Sequence, residues 1–178
     1  MTPDQATFLL KEIYLPQIRN EHPLTRKTIE AIPEDKGDYK PDPKAKSAME
    51  LASHIASSEV FFLEGVATGE FNRAVATIPE TVKTPAALLS WYDDAFFTAS
   101  TKLAAASPEA LTKAMSFAIF NFPAIVYVSL MLSHSIHHRG QLSTYLRPMG
   151  SKIPRIYGGS ADEPIDAAEI ARAQQATQ

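Results

Sequence analysis

The run LMLSHSIHHRGQLSTYLRPMG, from Leu130 to Gly150, constrains this chain more than any other. Its apolar residues call for cover by the rest of the protein. Yet it carries His134, His137 and His138, three of the five histidines in the sequence. A buried imidazole has one donor and one acceptor to satisfy, so a helix of this kind needs a fold that brings partners to it. Residues four apart are neighbours on one helix face. His134 and His138 stand in that relation and can place two ring nitrogens on one ion. Their stripe runs back through Met131, Leu130 and Tyr127 and forward through Gln141 and Tyr145, which turns the pair toward the interior. His137 falls at the edge of the stripe, where it bonds a neighbour or faces solvent.

The remaining segments read as helices, with no run of alternating strand pattern. Thr2-Pro3-Asp4 caps a first helix with the apolar stripe Leu9, Leu10, Ile13, Ile18, Thr25 and Ile29, strained at Pro16 and Pro23 and ending near Ile32-Pro33. EDKGDYKPDPKAK is a loop by its turn chemistry. Ser47-Ala-Met-Glu50 is a capping box that opens a second helix carrying Leu51, Ile55, Phe61, Phe62 and Val66, closed by Gly69. Thr84-Pro85 opens a third, with Leu88, Leu89, Tyr92, Phe96 and Leu103 on its apolar side. The fourth is the opening run, extended back to about Pro123, and a weaker fifth follows Ile165 in the Ala-rich tail. Long amphipathic helices without strands predict an all-α fold, an up-and-down or crossover bundle. A chain of 178 residues suits one such domain and not two.

A bare i, i+4 histidine pair is weak evidence for a metal. His54 strengthens it: in MELASHIASSEVFF its stripe neighbours are Glu50, Leu51, Ser58 and Phe61, so it too points inward. A shared cation satisfies one nitrogen of each ring and leaves the other for a supporting bond. The plainer alternative is a polar pocket in which His54 bonds Ser57, Ser58 or water. H-E-x-x-H fails because Ser135 follows His134, and H-x-x-E-H fails because His137 precedes His138. No Asp or Glu occurs between Glu109 and Asp162, whereas Lys113, Arg139, Arg147, Lys152 and Arg155 do. A three-histidine site here is therefore cationic and favours an anion in its open positions: hydroxide, a thiolate or a substrate carboxylate.

Composition narrows the chemistry further. A net charge of −3 is a poor footprint for a polyanion, so nucleic acid is not an expected partner. The absence of cysteine excludes disulfides, cysteine zinc sites and an internal thiol nucleophile. The N-terminus lacks a signal-peptide pattern, and the apolar stretch from Phe117 to Leu132 is broken and short for a membrane span. The expectation is a cytoplasmic protein with no membrane partner.

HSIHHRGQLSTYLRPMGSKIPRIYG resembles the signature of the DinB-like (YfiT-like) metalloenzyme family, in which H-x-x-x-H-R-G-Q leads into Y-L-R, a Gly, a Pro and Tyr-Gly. Here these are His134, His138, Arg139, Gly140, Gln141, Tyr145, Leu146, Arg147, Gly150, Pro154, Tyr157 and Gly158. SAMELASHIASSEVFFLEG resembles the family's second helix, and IPEDKGDYKPDPKAKS the loop before it. The resemblance spans residues 1–164, leaving 165–178 as a helical or frayed tail. It implies a four-helix bundle with a long crossover connection and a divalent metal (zinc, nickel, iron or manganese) held by His54, His134 and His138. It also implies a small-molecule substrate, handled by a low-molecular-weight thiol transferase or a hydrolase, and a homodimer. The rival is a non-catalytic, stress-related bundle that binds a metal or ligand. Of the other motif residues, Gly140 reads as a helix-packing position and Arg139 as a salt bridge to a neighbouring element. Gln141 and Tyr145 could bond a metal-bound water or substrate, with Tyr145 equally a core aromatic. Arg147 reads as a complement to the helix dipole. Trp91 beside Asp93 and Asp94 reads as a packing aromatic next to a solvated acidic face.

Overall fold

Helix α1 (Pro3–Phe8) begins at the expected cap, with Thr2 and Gln5 forming a capping box. It runs through a π-helical stretch, Leu9–Tyr14, into α2, Leu15–Glu30. These are parts of a computed structural model that describes residues 1–175; the end of the expected tail, 176–178, lies outside them. The π turn answers Pro16. A proline has no N–H for the carbonyl four residues back, and its ring crowds that carbonyl, so a widened turn relieves both. The Leu15 amide bonds to Leu10 O, five residues back. The extra residue rotates the stripe: Leu10 stays buried, but Ile13 turns outward to 45% exposure, against the sequence expectation. Pro23 is absorbed inside α2 without ending it.

The other long helices start and stop where local chemistry dictates. α3 (Ala48–Thr68) opens on the Ser47–Glu50 capping box and closes on Gly69 at φ +73°, the left-handed conformation glycine adopts without strain. The Lys113 ammonium seals that end by donating to Gly69 O at 2.9 Å. α4 (Pro85–Ala104) is capped by Thr84 and buries Leu88, Leu89, Tyr92, Phe96 and Leu103 as expected. α6 spans Val126–Leu146, and α7, Ala167–Gln175, carries no buried residue. α2 and α3 each pack on both α4 and α6, which makes the four-helix bundle. The long stretch between the second and third expected helices, here α3 and α4, left room in the sequence for a crossover, but it joins helices that pack directly. The connection between α2 and α3 crosses over instead. A short α5 (Pro108–Thr112) packs on α1.

One element departs from the helical reading. Strands β1 (Ala114–Phe117) and β2 (Phe120–Pro123) form an antiparallel hairpin ahead of α6, pairing Met115 with Phe122 and Phe117 with Phe120. Four-residue strands leave little alternation to detect, and the turn lacks Asn-Gly chemistry; Ala118 takes the left-handed conformation at φ +51°. The buried Tyr127 hydroxyl pins the hairpin to α6, donating to Met115 O at 2.7 Å.

Candidate metal centre

α3 and α6 lie side by side, and their facing stripes bring His54 to His134 and His138. One nitrogen of each of the three rings lies within 4.8 Å of the others, close enough to share one ion. His54 Nε2 and His134 Nε2 are 3.1 Å apart, and the ring centroids are separated by 4.4 to 4.8 Å. Two nitrogens on one tetrahedral cation stand about 3.3 Å apart for metal–nitrogen bonds of about 2.0–2.1 Å. The closest pair already has that spacing. The rings are half-buried, not fully enclosed as the stripe suggested, because the bundle opens beside them.

The environment favours the neutral form of His134 and His54. Burial lowers the His134 pKa to about 4, helped by the neighbouring histidines, and burial followed by His138 and Lys46 lowers that of His54. Neutral rings present lone pairs to a cation. His138 is oriented from the same helix: its Nδ1 lies 3.0 Å from Gln141 Oε1, so Nδ1–H donates and Nε2 is left free. Gln141 in turn donates to the hydroxyl of buried Tyr145 at 3.4 Å. His134 Nδ1 is buried without a hydrogen-bond partner. The donor set fits a divalent cation of borderline softness.

Among the described residues no carboxylate joins the three rings. Glu50 is committed elsewhere, accepting from the Ser47 amide at 2.6 Å and pairing with Lys40 at 3.3 Å. His137 is exposed and outside the cluster, its ring edge-on to His138. A cleft of about 320 Å³ opens from His54 and His134, walled by Phe61, Phe62, Phe117, Leu130 and Ala76, with Ser57, Ser58 and Arg73 as its polar lining.

The other motif residues divide. Arg139 is the salt bridge it was expected to be, 1% exposed and bound to the Glu21 carboxylate, to Glu21 O and Thr25 Oγ1 at 3.2 Å, and to the Tyr157 hydroxyl. Gly140 is not a packing position: a Cβ there would meet nothing within 4 Å. Arg147 pairs with Asp162 at 2.7 Å. Asp93 is not simply solvated, since Arg26 holds it at 3.0 Å. Sequence reasoning missed Glu59, 3% exposed, which accepts from Thr25 at 3.2 Å and from the Tyr92 hydroxyl. The signal was present, because Glu59 continues the buried Leu51–Ile55 stripe at four-residue steps.

The DinB family model matches residues 7–170. The crystal structure of a DinB-like protein, YjoA, from Bacillus subtilis is 24% identical, with a TM-score of 0.67, covering 80% of this chain and 96% of that one. A DinB-like protein from Bacillus cereus is 20% identical, with a TM-score of 0.68, covering 83% and 97%. At such identities the two structures share its fold. No curated protein matches the sequence.

Proposed function

The chain belongs to the DinB family, and from that premise we propose that it is a metal-dependent enzyme in which His54, His134 and His138 hold a divalent cation beside a small-molecule cleft. One observation carries the reading: three imidazoles converge with no fourth protein ligand among the described residues, and two of them, His54 and His134, line a cleft. A structural ion is normally closed off by four protein ligands, whereas a catalytic one keeps an open position. When bound, the cation supplies a Lewis acid that lowers the pKa of a thiol or a water.

The residues of the chain divide the remaining tasks. His54, His134 and His138 contribute ligands without charge, so the centre stays cationic and attracts an anion. Gln141 holds His138 in the tautomer that ligates. Phe61, Phe62 and Phe117 give the cleft apolar walls that limit water. Among the described residues no carboxylate lines the cleft to serve as a base for water attack. That absence favours a low-molecular-weight thiol as the nucleophile over hydrolysis, because a thiol ionises with far less help.

Metal analysis of the purified protein tests the reading. We expect about one divalent ion per chain, lost in His54→Ala and His138→Ala, and thiol transfer to an electrophile that needs both the ion and added thiol. Wild-type protein that neither carries nor takes up zinc, nickel, iron or manganese overturns the metal centre. Transfer that survives chelation overturns the thiol chemistry.

A further inference from the structure

Four of the seven arginines in the sequence are held in ion pairs among the described residues. Arg26, Arg139, Arg147 and Arg155 each pair with a carboxylate. The Arg73 side chain has no such partner among the described residues, yet it lines the cleft that begins at His54 and His134. Among the described residues it is the only charged side chain in that lining, whose histidines, His54 and His134, favour the neutral form.

Its position is fixed by the chain around it. Arg73 opens a 3-10 turn, Arg73–Ala76, capped by the Asn72 side chain accepting from the Ala74 amide at 2.9 Å. Ala76 anchors the far end of the turn in the core. Just before it, Phe71 packs flat on Phe61 with ring centroids 5.2 Å apart.

We infer that Arg73 is the anion-recognition residue of this cleft, taking the carboxylate of a small substrate whose apolar body lies against Phe61, Phe62 and Phe117 and whose reacting end reaches His54 and His134. The inference deepens the function proposed above and rests on it for the reacting end alone. A single guanidinium matches a carboxylate, which it can bond through two parallel N–H groups. A phosphate, with its greater charge and more acceptor oxygens, calls for several donors, and the lining offers one cation. The aromatic walls select an apolar, preferably aromatic, body.

The test compares 3-phenylpropionate with its neutral amide, 3-phenylpropanamide, titrated into metal-free and metal-loaded protein and followed by NMR shifts of residues along the cleft. In metal-free wild type the acid should bind about tenfold more tightly than the amide, the value of one charge-assisted hydrogen-bonded pair. Arg73→Gln should bind the two alike, and Arg73→Lys should recover part of the preference. Arg73 is exposed, so neither substitution threatens the fold. Equal binding of acid and amide by wild type, no binding of either, or a preference that persists in Arg73→Gln overturns the proposal. A preference for the acid found only in metal-loaded protein and indifferent to Arg73 places the carboxylate on the ion, and also overturns it. Metal content measured on the same samples judges the metal centre separately.

Discussion

His138 Nδ1 and Gln141 Oε1 face each other at 3.0 Å across one turn of α6. This bond decides which nitrogen of His138 is free. Supporting bonds of this type are worth about 10–100-fold in metal affinity. Gln141→Ala should therefore weaken divalent-metal binding by at least about tenfold while leaving the helical signal and thermal stability near wild type, because Gln141 is exposed. Competition against a chromophoric chelator measures it. Unchanged affinity would mean that the bond does not orient a ligand.

Arg139 follows His138 directly in sequence but turns toward α2. Its guanidinium joins Glu21 and Thr25 of α2 to Tyr157, in the segment that follows α6. Removing one partner of a buried ion pair strands the other, at about 3–5 kcal/mol. Arg139→Ala should lose roughly that much in urea denaturation. Tyr157→Phe deletes only a hydroxyl that donates to Glu21 at 2.7 Å and should cost about 1 kcal/mol, with faster amide exchange in residues 150–160. Neither change touches the histidines, so metal affinity of the folded protein should stay the same. A selective loss of metal in Tyr157→Phe would contradict this division of roles.

Much of this was legible in the sequence where one residue type forces one local structure. Ser47 with Glu50, Gly69 and Thr84-Pro85 set helix ends, and the four-residue step from His134 to His138 set the face that meets His54. What was not legible depended on tertiary context. Nothing local announces that Pro16 is accommodated by a π turn that rotates Ile13 outward. The hairpin at Ala114–Pro123 is stabilised by Tyr127 and by packing more than by its own propensity. Arg73 lies in a stretch without periodicity, and only the fold brings it to the histidine cleft.

Glu59 supplies a pH test. Burial raises its pKa, opposed by hydrogen bonds from Tyr92, Ser135 and Thr25 and by the charge of Arg139. An acid whose folded pKa lies above its ordinary value of 4.5 holds its proton longer when folded. Its contribution to stability is full below that ordinary value and is lost as pH rises through the folded pKa. Tyr92 stays protonated throughout, its own pKa pushed further up by burial and by Glu59. Glu59→Gln should remove this downward slope, so the difference in unfolding free energy between variant and wild type should shift toward the variant above about pH 5. Denaturation curves from pH 4 to 8 read it. A constant difference would show that Glu59 has the same pKa folded and unfolded.

Gly65 and Phe71 form the contact on which the cleft wall depends. A Cβ on Gly65 would lie 2.3 Å from Phe71 Cδ1 and 2.6 Å from Cε1, so the ring occupies the space that any other residue would fill. Phe71 also packs on Phe61, Phe62, Phe117 and Tyr127, with centroids between 5.0 and 5.7 Å. Overpacking of this kind costs about 1–3 kcal/mol. The better helix propensity of alanine returns up to about 1 kcal/mol of it. Gly65→Ala should thus be mildly destabilised, by about 1 kcal/mol, while displacing Phe71 and the turn that carries Arg73. Because the histidines lie on the preceding turns of α3 and on α6, metal uptake should be retained while binding of 3-phenylpropionate falls. Equal loss of both, or of neither, would show that the Phe71 contact does not set the cleft wall. Made in the Phe71→Ala background, where no ring stands in the way, Gly65→Ala should cost less than it does in wild type, and this difference separates steric conflict from an effect on the helix itself.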